Sequence, residues 1–444
     1  MSQHYDQPVI QAIQATGIPL ETSHHTYDQL LDTIGDARFV LIGEASHGTH
    51  EFYQERAKIT SRLITEKGFT AVAIEADWPD TYRVNRYVRG LSVDKTGREA
   101  LSSFTRFPTW MWGNTEVLRF VDWLRQHNDM LEDQEQKVGF YGLDLYSLYT
   151  SVDAVISYLG KVNPEAAERA RRRYACLEHY GGDARFYLTS LQLDSSCEKE
   201  VLKQLLELQQ LIALSNQYSE ESFYVDQNAR LVSNAEKYYR AMLADGARSW
   251  NIRDHHMVDT LDFLLRYLDR QHIHTKVVVW AHNSHLGDAR ATYMGKEGEQ
   301  NVGQLVRQRY EAQAFLLGFT TYTGTVTAAS NWDRPAERKH VRPALEGSYE
   351  SLFHYASFVL APNFYLLLQS PDQTRSFLQE PRLERAIGVV YRPYTERASH
   401  YFEATLPEQF DAVIHLDRTH ALEPLVCTPQ WIQGEPEETY PTGL

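Results

Sequence analysis

The sequence predicts an α/β protein: a mostly parallel central sheet flanked by helices, with a helical insertion. Three observations predict it. Short apolar runs alternate with helix-patterned segments, the order that builds a parallel sheet with helices on its faces. Four of these runs end in ionisable groups, at Glu44 and His47, at Glu75, at Asp144, and at His282 and His285. From about residue 151 to 269 the helical pattern continues with no strand in it.

The elements follow in order. Residues 1–37 read as helical lead-in, with Tyr27, Leu30, Leu31 and Ile34 at helical spacing. Phe39-Val40-Leu41-Ile42 is a short buried strand. Gly43 permits a sharp turn, and Ser46 is placed to cap a helix over about residues 47–67. On that helix Phe52, Arg56, Ile59 and Leu63 share one face. An arginine there needs an anionic partner, unless its head snorkels to solvent. Gly68 ends the helix, and residues 69–74 form the second strand, which delivers Glu75. Residues 90–113 read as a long loop carrying Phe104, Phe107, Trp110 and Trp112, either a pocket wall or a cap on the core.

A helix over residues 115–131 leads to the third strand, 138–144. Helices in the insertion start at Asn163-Pro164, cover Leu202 to Leu214, pass through Leu231, Ala235, Tyr238 and Tyr239, and run from Trp250 to about Leu268. The fourth strand, 276–281, runs into His282-Asn283-Ser284-His285. Further strands are expected at 314–319, 364–368, 386–391 and 412–416. Residues 1–150 and 270–427 thus read as two parts of one core, 151–269 as a helical insertion or subdomain, and 428–444 as a loose tail.

Composition narrows the function. Lys+Arg 44 against Asp+Glu 59 leaves a net charge of −15, which argues against nucleic acid or an anionic membrane as partner. The 27 tyrosines suit a pocket with both apolar and polar walls. Cys176, Cys197 and Cys427 are scattered and form no CxxC pair, so neither a disulfide framework nor a thiolate metal site is expected. The first residues carry no secretion pattern and no apolar run approaches membrane-spanning length, so a cytoplasmic protein is expected.

The C-terminal ends of parallel strands share one edge, so the ionisable groups there can converge into an acid–base site. Three chemistries fit them. Ser46 as a nucleophile needs a Gly-x-Ser-x-Gly elbow, and Gly43 and Gly48 do not stand at those positions. A metal site has suitable ligand types but no H-x-x-x-H spacing. The preferred chemistry is water activated by His47, its ring held by a carboxylate, with Arg56 or His285 facing the developing negative charge.

The motifs Gly43-Glu44-Ala45-Ser46-His47-Gly48, Glu55-Arg56, Ile74-Glu75-Ala76-Asp77-Trp78-Pro79 and Trp280-Ala281-His282-Asn283-Ser284-His285-Leu286-Gly287 together resemble those of the erythromycin esterase family. The likeness continues through Gly347-Ser348-Tyr349-Glu350, Gly388-Val389-Val390-Tyr391 and Phe410-Asp411-Ala412, from about residue 25 to 427. Trp78-Pro79 and the segment from Phe104 to Trp112 resemble the broad branch of that family. The resemblance implies an α/β hydrolase that opens a macrolide lactone, or another ester, by adding water without a covalent acyl-enzyme. It implies His47 as general base, Glu75 and His285 as catalytic-cleft residues, and Glu44 and Arg56 as supporting charges. Ser46, Trp78, Trp110, Asp144 and His282 are expected on the substrate side. No cofactor is expected. The alternatives are a divalent metal on Glu44, His47, Glu75 and His285, and a non-catalytic small-molecule or haem-binding protein with the same cleft. The expected partner is a small ester or lactone.

Overall fold

The computed structural model describes residues 3–23, 25–178, 197–215, 219–242, 246–271, 274–369 and 373–434. Its strands are β1 (Ile18–Pro19), β2 (Phe39–Ile42), β3 (Ala71–Asp77), β4 (Gly139–Asp144), β5 (Val277–Trp280), β6 (Ala314–Ala328), β7 (Glu337–Val341), β8 (Asn363–Leu367), β9 (Arg382–Arg385), β10 (Tyr401–Ala404) and β11 (Ala412–Thr419). The main sheet runs β1-β8-β11-β6-β2-β5-β3-β4, with β7 added to β6. The six strands from β11 to β4 are parallel, while β8, β1 and β7 join antiparallel at the margins. β9 and β10 form a separate ribbon.

Each central strand is apolar on both faces because both are covered. Phe39, Leu41, Ala71, Ala73, Val277 and Val279 pack with the helices Leu148–Val162, Pro164–Glu178, Glu220–Met242 and Gly246–Leu268. The alternate residues Val40, Ile42, Val72, Ile74, Val278 and Trp280 pack with Asp28–Ile34, His50–Lys67, Trp78–Val88 and Thr115–Asp129. Register then sets the functional edge. Trp280 of β5 lies opposite both Ile42 of β2 and Ile74 of β3, so the three strands end level. Glu44, Glu75 and His282 follow within two residues of those level positions.

Several sequence expectations are corrected. Ser46 is not a helix cap: the helix begins at His50 with Thr49 at its N-cap, and the Ser46 hydroxyl bonds the Thr49 hydroxyl. Gly43 is needed for space, since a Cβ there would collide with Asn283 Oδ1. β6 runs past Phe319 to Ala328 because β7, whose sequence Glu337-Arg338-Lys339-His340-Val341 does not alternate cleanly, extends it. Residues 386–391 form no strand: Ile387 bridges Ser46 and Val390 bridges Ala329 as isolated pairs. Cys176 and Cys197 are joined in a disulfide, because their two helices bring together cysteines 21 residues apart. The start of the expected loose tail is a short helix, Pro429–Gln433, capped by Thr428, and residues 435–444 lie outside the described residues. Among the described residues no helix is long and apolar enough to cross a membrane.

Candidate active site

His47 sits in the turn after β2, buried, with its backbone N–H on the Ile387 carbonyl (3.3 Å) and its carbonyl taking the Tyr53 hydroxyl (2.9 Å). Its Nδ1 lies 3.0 Å from Glu44 Oε1. A carboxylate accepts, so Nδ1 carries a proton, and Nε2 is the ring nitrogen left for the cavity that His47 lines. Glu44 is fully buried and also meets Arg56, with 3.4 Å from Oε2 to Nη2.

Glu75 reaches the edge through a bulge. β3 and β4 stay in register to Ile74–Gly142 and resume at Asp77–Asp144, which leaves one extra residue in β3. A Cβ on Gly142 would lie 2.5 Å from the Ala76 carbonyl oxygen, so the bulge depends on that glycine. Glu75 Oε2 accepts the His282 backbone N–H (2.9 Å), and Oε1 takes Arg253 Nη2 (2.7 Å). Arg253 also grips Asp144 with Nε and Nη2 (2.9 and 2.7 Å). Burial alone would raise both carboxyls. His285 and Arg253 hold Glu75 well below the usual carboxylate range, and Arg253 holds Asp144 down.

His285 donates from Nδ1 to Asp254 (2.9 Å) and stacks on Trp250 with centroids 4.4 Å apart. Its Nε2 lies 3.3 Å from Glu75 and 3.0 Å from Arg253 Nη1. The arginine favours a lone pair there and the carboxylate favours a proton. Asp254 on Nδ1 and Glu75 beside Nε2 favour the imidazolium. Burial opposes the imidazolium, yet Asp254 and Glu75 raise its pKa to about 9. His282 is the opposite case. Burial, with His47 at 4.8 Å between ring centroids, pushes it down to about 3.

His47, Glu75, Asp144, Arg253, His282 and His285 line a cavity of about 330 Å³, toward the small end of ligand pockets (~300–1,000 Å³). Its other walls include Phe104, Pro108, Trp112, Tyr146 and, on the rim and 54% exposed, Trp332. Asp77, held by Arg106 (2.6 Å), and Asp80 also face it, and burial raises Asp80 to about 7.

The structure thus brings His47, Glu75, Asp144, His282 and His285 to one cavity, with Glu44 directly behind His47. It does not bring the others there. Arg56 is fully buried, so it neither snorkels nor reaches the cavity, and its partner is Glu44. Ser46 is buried against Thr49. Trp78 lies in the core, bonded to the Tyr224 carbonyl (3.2 Å) and packed edge-on to Phe223. Trp110 is buried against Phe107, Ala329 and Ala336, so that loop is part wall and part core cap. Sequence reasoning missed Arg253 and Asp254, which sit inside the helix Gly246–Leu268. The adjacent charges after Trp250 on an otherwise amphipathic helix were the available signal.

The four residues expected as alternative metal ligands are engaged with other side chains. Glu44 is turned to His47 and Arg56, and Glu75 to Arg253 and His285. Among the described residues no group of three or more His, Cys, Asp or Glu is arranged to hold a metal ion.

Comparison with known proteins agrees with this architecture. The family model described as erythromycin esterase matches residues 64–419. Erythromycin esterase type II of Escherichia coli is 23% identical over 416 residues, covering 84% of this chain and 94% of that protein. A crystal structure described as a succinoglycan biosynthesis protein superposes with a TM-score of 0.76 at 21% identity, covering 95% of this chain and 100% of the other. A mutant of the erythromycin esterase EreC in its open conformation gives 0.68 at 16% identity, covering 94% and 98%.

Proposed function

The chain belongs to the erythromycin esterase family, and from that membership we propose that it hydrolyses an ester or lactone by direct, metal-independent attack of water activated by His47. The observation that carries this is the Glu44–His47 pair: Nδ1 is held at 3.0 Å, and Nε2 remains as the base at the cavity. Nε2 takes a proton as water oxygen bonds to the carbonyl carbon, and Glu44 stabilises the imidazolium that forms. The carbonyl electrons move to oxygen. The tetrahedral species then collapses, the alkoxide C–O bond breaks, and the alkoxide takes a proton. His285, charged at neutral pH and lining the same cavity, is placed to supply it. Products are an acid and an alcohol, or a hydroxy acid from a lactone. Glu75 and Asp144 hold Arg253 and His285 in place; macrolide ring opening is the family's version of this chemistry.

Mass spectrometry of macrolides, simple lactones and aryl esters after incubation tests the reading. A product heavier by one water, absent with His47→Ala and unaffected by EDTA, is the expected result. Loss of activity on chelation sinks the metal-free reading. Hydrolysis at the parental rate by His47→Ala sinks the base assignment.

A further inference from the structure

We propose that His282 is a catalytic hydrogen-bond donor of this site: a neutral imidazole whose Nε2–H binds the oxygen that becomes negative in the tetrahedral intermediate. This deepens the hydrolase reading and rests on it. The tautomer follows from the turn after β5. His282 is the N-cap of the helical turn Asn283–Leu286, and its Nδ1 accepts the backbone N–H of Ser284 (3.2 Å), with the Ser284 hydroxyl at 2.8 Å. A backbone N–H can only donate, so Nδ1 must present a lone pair and the ring's proton sits on Nε2.

That Nε2–H is buried, on a side chain 4% exposed, and among the described residues it has no hydrogen-bond partner. The Ala45 carbonyl acts on the ring but does not complete a bond to Nε2. A buried donor without an acceptor is rare and costly, and an incoming oxygen would satisfy it. His282 lines the cavity beside His47, with ring centroids 4.8 Å apart, so both rings border the space that a substrate carbonyl would fill. A fixed neutral N–H aimed at developing charge needs no reorganisation during reaction. Arg56, which the sequence offers for this role, is sealed behind Glu44.

Two kinds of measurement test this. Ring ¹⁵N NMR of the full chain at neutral pH should find His282 with its proton on Nε2, and methylphosphonate, an oxyanion probe, should shift that resonance. An Nδ1–H tautomer, or no shift at saturating probe, overturns the proposal whatever the enzyme hydrolyses. In kinetics, His282→Asn keeps an acceptor where Nδ1 caps the turn and removes the Nε2–H. It should fold normally and lose about 10²–10³ in kcat with KM little changed, as for a removed oxyanion donor. Parental kcat in His282→Asn means that the ring only caps, and overturns the donor role. If the NMR results hold and the parent hydrolyses nothing in the panel, the donor site stands and the hydrolase reading falls.

Discussion

Arg56 holds its charge in the interior with little hydrogen bonding. Its guanidinium carbon lies 4.4, 4.9 and 5.8 Å from the ring centres of Tyr53, Trp280 and Trp112, and its nitrogens make no hydrogen bond of good geometry among the described residues. Cation–π contact and Glu44 at 3.4 Å compensate for burial. Removing one partner of such a pair leaves the other charge uncompensated, at a cost of roughly 3–5 kcal/mol. Arg56→Met, which keeps the volume, should therefore lower stability by about that amount in urea unfolding; parental stability would show that no buried pair exists. Asp254 is a different kind of residue. It orients His285 and favours its charged form, and it also accepts the Val302 amide (3.0 Å). Asp254→Asn should move the alkaline limb of kcat below about 9 and cut kcat by ~10² or more, the scale of a general acid's contribution. An unchanged limb would mean that His285 is not the acid.

At the level of elements, the site depends on two close approaches made at glycines, one to backbone and one to a buried side chain. Gly142 makes room for the bulge that turns Glu75 and Asp77 to the cavity, and Gly43 makes room for Asn283. Overpacking such positions costs about 1–3 kcal/mol. Gly142→Ala should show a loss of that size in chemical denaturation together with a larger proportional loss of kcat, because Glu75 is re-aimed. Loss of stability with kcat per folded molecule intact would separate the bulge from the chemistry. This scale also explains what could be read in the sequence. His47, Glu75, Asp144 and His282 were legible because each follows an apolar run, and parallel strands put their ends on one edge. Arg253 and Asp254 were not, because they lie mid-helix and only the docking of Gly246–Leu268 on the sheet carries them to that edge. Trp78 and Trp110 were misplaced because an aromatic beside a site motif looks the same in sequence whether its ring faces a cavity or the core.

Over the whole molecule, buried titrating groups make stability depend on pH in two opposite ways. His256 and His282 have folded pKa values pushed down, chiefly by burial, to about 4 and about 3 from 6.5. Between those values and 6.5 the unfolded chain binds more protons, so stability falls as pH drops through that window. Glu75 and Asp144, held low by their cationic neighbours against burial, act in the same direction at lower pH. His285 is raised to about 9. Its contribution is fully present below 6.5 and is lost as pH climbs through 9. Glu384, buried beside Glu350 and raised to about 8, also loses stability on the way up, from its ordinary 4.5 to 8. Asp80, raised to about 7 by burial, adds to that loss; above 6.5 the lowered histidines no longer add stability while His285, Glu384 and Asp80 all lose it, so resistance to urea should fall from pH 6.5 to 9. His285→Gln removes the imidazolium and should flatten the decline between 6.5 and 9. An alkaline slope identical to the parent's would mean that His285 is not held as a cation by Asp254 and Glu75, and the proton donor of the proposed reaction would have to be sought elsewhere on the cavity wall.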